Sequence, residues 1–244
     1  MIKNNPYAQQ SPESIQSMFN SIADRYDLGN SVLSFQMHKF WNRQLVKRTF
    51  PDSADLSIVD LCCGTGDIAF DYLKRSPPTK EVFLIDFSEE MLRNAKEKAS
   101  SLGLDHHKIS YIQGDALDIP LSEKTVDAVT VAYGIRNVQD PKKCIKEIHR
   151  ILKPCGRIGI LELTRPDNPF LRFFHKIYLT CILPILGKLV ATNKEAYTYL
   201  SQSINHFSSP AVLSQILRES GFNNIEIKPL LGGIATILTA EKKA

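Results

Sequence analysis

The chain has 244 residues, 43% hydrophobic and 23% charged, with a formal net charge of +4. These values fit one large globular domain with an appendage and exclude a disordered chain; so mild a charge, without Lys/Arg stripes, excludes a dedicated nucleic-acid binder. The five cysteines, Cys62, Cys63, Cys144, Cys155 and Cys181, form no CxxC pair and no zinc-spaced cluster, so no metal is expected and a reducing cytoplasm is the expected compartment.

The N-terminal "MIKNNPYAQQ" lacks the apolar core of a secretory signal. Ser11 followed by Pro12 opens a helix, and Ile15, Met18, Phe19, Ile22 and Tyr26 give it one apolar face. "SFQMHKFWNRQLVKR" reads as a second helix, so residues 1–50 form a helical cap before a main domain over 51–244. There the short apolar runs "LSIVDL", "VFLIDF", "KISYIQ", "DAVTVAYG" and "RIGILELT" alternate with helices near 66–75, 88–102 and 141–152. Apolar runs without alternation predict strands buried on both faces, hence a parallel sheet between helices. Residues 166–220 read as largely helical, the last helix opening at Ser209-Pro210 and closing at Gly221. "NIEIKPLLGGIATILTAEK" reads as a hairpin around Gly232-Gly233, which makes the final strand antiparallel. The longest uncharged apolar run, "IYLTCILPILG", is shorter than the roughly 20 residues of a spanning helix, so the chain reads as soluble, with room for contact at a membrane.

"VDLCCGTGD", residues 59–67, carries the chemistry. Cys62 and Cys63 read as small packing residues. Gly64-Thr65-Gly66 after a strand and before a helix matches a nucleotide-binding turn. Asp86 ends the next strand about 20 residues on, where a carboxylate accepts hydrogen bonds from ribose hydroxyls. Asp60 and Asp67 flank the helix start, a seat where a dinucleotide would put its pyrophosphate. Carboxylates there repel phosphate and suit a cationic adenosyl compound, S-adenosylmethionine. Asp115, after the third strand, can take the adenine amine, and Ala116 supplies a backbone N–H. The competing reading of these acids is loop capping.

"YDLGNSVLSFQMHKFW", with Tyr26, Asp27, Asn30, Ser34, His38 and Trp41, together with "RILKPCGRIGILELT", "YGIRNV", "LPILGKLVA" and "YTYLSQSI", resembles the quinone-biosynthesis C-methyltransferases over nearly the whole chain. Gly29, Cys155, Thr164 and Leu238 depart from the usual Met, Gly, Ser and His. The resemblance implies an α/β class I S-adenosylmethionine-dependent methyltransferase fold, strand order 3-2-1-4-5-7-6, with a helical substrate insertion at about 166–208. It implies donor contacts at Thr65, Asp86, Asp115 and Ala116, alongside Gly64 and Gly66 of the turn, and it puts Arg136, Asn137 and Tyr26 beside the reacting ring.

The implied reaction is C-methylation of a polyprenylated quinol, demethylmenaquinol to menaquinol. Alternatives are a polyprenyl-benzoquinol, a small soluble acceptor, or a non-catalytic donor-binding protein. A base amine-methyltransferase is disfavoured, because "AYGIRN" lacks an [N/D]-P-P-[aromatic] clamp. A phenolic hydroxyl has a pKa of about 10, so ionising it near neutrality costs about 4 kcal/mol, and a nearby cation recovers roughly 1–3 pH units. Arg136, too basic to abstract a proton, is expected to stabilise the quinolate or orient a water. Asn137 is expected to add a hydrogen bond. Tyr26 or His38 completes a proton path, or both simply pack within the cap. "HKIYLTCILPILGKLV", with His175, Lys176 and Lys188, reads either as an apolar entrance resting on lipid or as a buried helical subdomain. The implied location is cytoplasmic, at the inner face of the membrane; self-association stays open.

Overall fold

The computed structural model describes residues 11–50, 55–75, 80–190 and 194–244. The N-terminal decapeptide read above and the side chain of Lys188 lie outside the described residues. Strands β1 (Ser57–Leu61), β2 (Glu81–Asp86), β3 (Ile109–Gln113), β4 (Val126–Ala132), β5 (Leu152–Leu163), β6 (Phe222–Leu230) and β7 (Ala235–Lys242) form a seven-stranded sheet in the order β3-β2-β1-β4-β5-β7-β6. The pairs from β3 through β5 are parallel, and β7 runs antiparallel to both β5 and β6. This is the expected order and hairpin.

Both faces of the sheet are covered. Ile58, Val82, Leu84 and Ala128 pack with residues of α3 (Met37–Thr49), α4 (Asp67–Leu73) and α5 (Glu89–Ser101). Their strand neighbours Val59, Phe83, Ile85 and Val129 pack with α6 (Pro141–Ile151) and α10 (Pro210–Glu219) on the other side. The unalternating apolar runs follow from this double burial. Helix starts obey local capping. Ser88 Oγ accepts from Met91 N–H at 3.2 Å, Asp140 accepts from Lys143 N–H at 2.9 Å, and Ser209 accepts from Val212 N–H at 3.4 Å.

The N-terminal region differs from the two expected helices. α1 (Pro12–Ile22) is followed by a 3₁₀ turn and a short α2 (Tyr26–Leu33). The next helix starts only at Met37, because Phe35 and Gln36 take φ of 49° and 65° and turn the chain sharply. α3, grouped with the cap on sequence, instead packs on the sheet through Trp41, Leu45 and Val46. Its Thr49 lies so close to β5 that a Cβ on Gly159 would come 1.9 Å from the Thr49 hydroxyl. β5 also starts earlier than its apolar run suggests, since Leu152 pairs with Val126 before a register shift. Between β5 and α10 run α7 (Pro169–Ile177), a π-helical turn (Tyr178–Ile182), α8 (Leu183–Val190) and α9 (Lys194–His206). α8 packs on α2, and α9 on α1.

Candidate active site

The carboxyl ends of β1, β2 and β4 open into a cavity of about 290 Å³, roofed by α1 and Tyr26. It lies where open α/β sheets bind ligands. Asp86 lies on its wall, 6% exposed, with its oxygens accepting from Gly64 N–H at 2.8 Å and Ser88 N–H at 2.9 Å. Burial lifts its carboxyl above the usual range, against those backbone donors. Asp115 also lines the cavity, one oxygen accepting from Leu117 N–H at 2.8 Å, beside Ala116. The charged residues on this wall are Glu13, Asp86 and Asp115, with no Lys or Arg among the described lining residues. α1 is fixed over the opening by Gln16, which donates to Phe87 O, and by Asn20, which accepts from the Ser88 hydroxyl at 2.6 Å.

A second cavity, about 370 Å³, lies under α2, α3, α7 and α8. Its wall is mostly apolar, with Leu33, Trp41, Leu179 and Leu183, and its polar groups include Asn30, Ser34, His38, Arg136 and His175. Tyr26 and Tyr133 line both cavities and so form their shared wall. Burial pushes the Tyr26 phenol up. Tyr133 takes φ of 57°, a strained conformation for an aromatic residue, and its hydroxyl donates to Asn42 at 3.0 Å.

The 3₁₀ turn Ile135–Asn137 after β4 divides adjacent side chains between the cavities, with Arg136 on the second and Asn137 on the first. Arg136, its side chain 7% exposed, pairs with the fully buried Glu162 at the end of β5, and its own N–H meets the same carboxylate at 3.3 Å. Burial works against the guanidinium charge, but Glu162 and the hydroxyls of Tyr26 and Tyr199 more than offset it and raise its pKa. Nε of Arg136 is buried without a partner among the described residues. Asn137 accepts from the Tyr199 hydroxyl at 2.8 Å and donates to Tyr133 O at 3.4 Å, so its amide is oriented.

The structure brings Asp86, Asp115, Ala116, Gly64, Tyr26 and Asn137 to the first cavity, and Arg136 with Tyr26 to the second. It does not bring Thr65 or Gly66 to either wall. The Thr65 hydroxyl turns to the cap and donates to Asp27 at 2.5 Å. Gly66, at φ 81°, caps α4, where a Cβ would meet Phe70 and Leu84 at 2.7–2.8 Å. The acids argued to repel a pyrophosphate are also different ones. Asp60 is buried, accepts from Ala69 N–H and the Thr130 hydroxyl, and its carboxyl is pushed up by burial to about 8. Asp67 is paired with Lys98, which also binds Asp27 at 2.6 Å and so ties α2 to the glycine turn. Anionic character comes instead from Glu13, Asp86 and Asp115. Sequence reasoning missed Glu162 and Tyr133. "LELT" was noted for Thr164, with Glu162 two residues before it, and Tyr133 sits in the quoted "AYGIRN". Cys62 lines the first cavity, but burial holds its thiol far above its ordinary range.

A sheet of this order, with an acid-lined cavity at its carboxyl ends that has no Lys or Arg among its described lining residues, has the architecture of an S-adenosylmethionine-dependent methyltransferase. A solved S-adenosylmethionine-dependent methyltransferase from Aquifex aeolicus superposes with a TM-score of 0.58 at 20% identity, covering 82% of this chain and 88% of that one. The match to the ubiE/COQ5 methyltransferase family runs over residues 7–242, and the chain belongs to that family. Among its relatives are a demethylmenaquinone methyltransferase of Protochlamydia amoebophila, 46% identical over 97% of this chain and 98% of the relative, and one of Staphylococcus saprophyticus, 35% identical over 92% and 94%.

Proposed function

We propose that the chain methylates a ring carbon of a polyprenylated naphthoquinol, demethylmenaquinol, in menaquinone biosynthesis. The observation that carries this is the second cavity: an apolar chamber sharing Tyr26 and Tyr133 with the donor cavity and holding a buried cation at that junction. A small polar acceptor would not call for so apolar a wall. The names of the relatives support the naphthoquinol over a benzoquinol.

When bound, S-adenosylmethionine supplies an electrophilic methyl on a cationic sulfur. Asp86 would accept from the ribose hydroxyls, Asp115 from the adenine amine, and Ala116 N–H would donate to the ring. Arg136 would donate to the quinol oxygen next to the reacting carbon. Because Glu162 balances its charge, its contribution is directional N–H donation to a developing oxyanion in a dry site rather than an isolated positive charge. Asn137, held by Tyr199 and Tyr133, orients the neighbouring wall. The remaining contribution is alignment of ring carbon and methyl with water excluded. Deleting the gene and analysing cellular quinones by mass spectrometry should show a naphthoquinone lighter by one ring methyl. A normal quinone pool would refute this function, and a desmethyl benzoquinone would reassign its acceptor.

The isoprenoid tail places the acceptor in a bilayer, so the enzyme works at the cytoplasmic membrane face. The helical stretch Pro169–Leu186 reaches a mean hydropathy of 1.3 with 17% of it buried. Its Phe170 and Phe173 are exposed, and Phe174 lies on the rim of the second cavity with exposed Phe35. Arg172 and Lys176 on α7 add positive charge. Such a face suits an anionic lipid surface. Replacing Phe170 and Phe173 by Ser should abolish cosedimentation with anionic vesicles and leave turnover of a short-tailed quinol intact. Unchanged cosedimentation would refute the contact.

A further inference from the structure

We propose that His38 is the catalytic base of the reaction, its Nε2 taking the proton of the quinol hydroxyl. The inference rests on quinol methylation as the activity and names the proton acceptor that Arg136, too basic to lose its own proton, cannot be.

Counting hydrogens around Ser34 fixes the His38 tautomer. Ser34 Oγ lies 2.6 Å from Asn30 O and 2.7 Å from His38 Nδ1. A hydroxyl has one hydrogen to give, and a carbonyl oxygen can only accept. The Ser34 hydrogen therefore goes to Asn30 O. The oxygen is left as acceptor, and it takes His38 N–H at 3.3 Å as well. The remaining contact requires His38 Nδ1 to be the donor. The proton thus sits on Nδ1, and Nε2 carries a lone pair. Nε2 has no protein partner among the described residues, and it is absent from the buried unpartnered atoms. His38 is 6% exposed and lines the second cavity, and the space beside Nε2 is assigned to that chamber.

The lock is built into the turn described above. Phe35 and Gln36, both at positive φ, bring Ser34 at the end of α2 against the first turn of α3. Burial pulls the imidazole below its ordinary pKa. Asp67 and Asp27 work against that, Lys39 and Lys98 with it, and the net direction is down. The ionisable groups that share the chamber are Tyr26, Tyr133, Arg136, His175 and Tyr178. The two phenols at the junction and Tyr178 are all raised, by burial, and stay neutral as bases fail near pH 7. His175 is the other imidazole, buried on α7 and also lining the chamber, but no hydrogen bond fixes its tautomer among the described residues.

In the step, the quinol O–H bond breaks and its proton goes to Nε2. The freed electron pair moves into the ring, whose carbon forms the bond to the methyl as the sulfur–methyl bond breaks, that bond's electron pair staying on a neutral thioether sulfur that leaves. The hydrogen of that carbon then leaves as a proton and is delivered to the ring oxygen, which regains its hydroxyl. The imidazolium returns its proton to water, so one proton is released per methyl transferred.

Two measurements test the proposal. Nitrogen-15 NMR of the free enzyme at pH 7.5 or above should show one imidazole protonated at Nδ1 and bare at Nε2, assigned by its loss in His38→Gln. A resonance for His38 protonated at Nε2 overturns the tautomer and the proposal with it. Turnover of a short-tailed demethylated naphthoquinol at saturating donor should fall on the acid side as His38 protonates. His38→Gln should lose that limb and about 10²–10⁴-fold of the rate, with donor affinity unchanged as proof of folding. Ser34→Ala should lose part of the rate, and His175→Gln should keep the limb. A His38→Gln enzyme that keeps both rate and acid limb overturns the proposal and leaves the activity standing; a wild-type enzyme that methylates no quinol overturns the activity itself.

Discussion

Replacing Glu162 by Gln isolates the buried ion pair that organises the site. Glu162 is fully buried and the Arg136 side chain 7% exposed, so the guanidinium left behind has little water to turn to. Removing one partner of a buried pair costs about 3–5 kcal/mol. Gln keeps an oxygen for Arg136 Nη1 and the Leu163 N–H, which share one carboxylate oxygen, but turns its amide NH₂ toward the Arg136 N–H, now 3.3 Å from the other oxygen. That opposition of donors costs about 1–3 kcal/mol; it overlaps the first figure, and a loss of about 3 kcal/mol is expected. For a chain of this size each kcal/mol moves Tm by about 2–4 °C, so Tm should drop by about 6–12 °C. Circular dichroism melting reads it, and a urea titration checks that the slope is unchanged. Donor affinity should stay the same, since neither residue lines the donor cavity. Adding Arg136→Met to the Gln variant should restore stability, because the unpaired charge is then gone. A Tm within about 2 °C of wild type, under 1 kcal/mol, would refute the claim that the pair is desolvated.

Gly66→Ala should cost about 3 kcal/mol, from the left-handed φ of 81° and the contacts below 3 Å with Phe70 and Leu84; denaturant unfolding within about 1 kcal/mol of wild type would remove its role as the turn's pivot. Asp60, with a folded-state pKa of about 8, keeps a proton that the unfolded chain releases near pH 4. Its contribution to stability is therefore present below about pH 4 and lost as pH rises toward 8, at up to about 1.4 kcal/mol per pH unit. Asp60→Asn should flatten that part of the stability–pH curve, and curves of equal slope would refute the assignment.

The sheet was legible because its chemistry is local. Buried strands leave unalternating apolar runs, and Ser88, Asp140 and Ser209 cap helices within a few residues of themselves. Asp86 and Asp115 were legible for the same reason, as acids at strand ends. The roles of Asp60, Asp67 and Thr65 were not, because each is set by a residue far along the chain: Thr130, Lys98 and Asp27. Glu162 looked like one more strand residue, and only the sheet brings it to Arg136, 26 positions earlier. The break between α2 and α3 was hidden too, since Phe35 and Gln36 are ordinary residues in left-handed conformations.

The central claim is that a ring carbon, made nucleophilic by an ionised neighbouring hydroxyl, meets the methyl donor where the two cavities share Tyr26 and Tyr133. Its most direct test is incubation of the purified chain with methyl-labelled S-adenosylmethionine and a short-tailed demethylated naphthoquinone, supplied once reduced and once oxidised. One labelled methyl should appear on a ring carbon of the reduced form and none on the oxidised form, which has no hydroxyl to ionise. Label on oxygen, or equal transfer to the oxidised ring, would contradict the account.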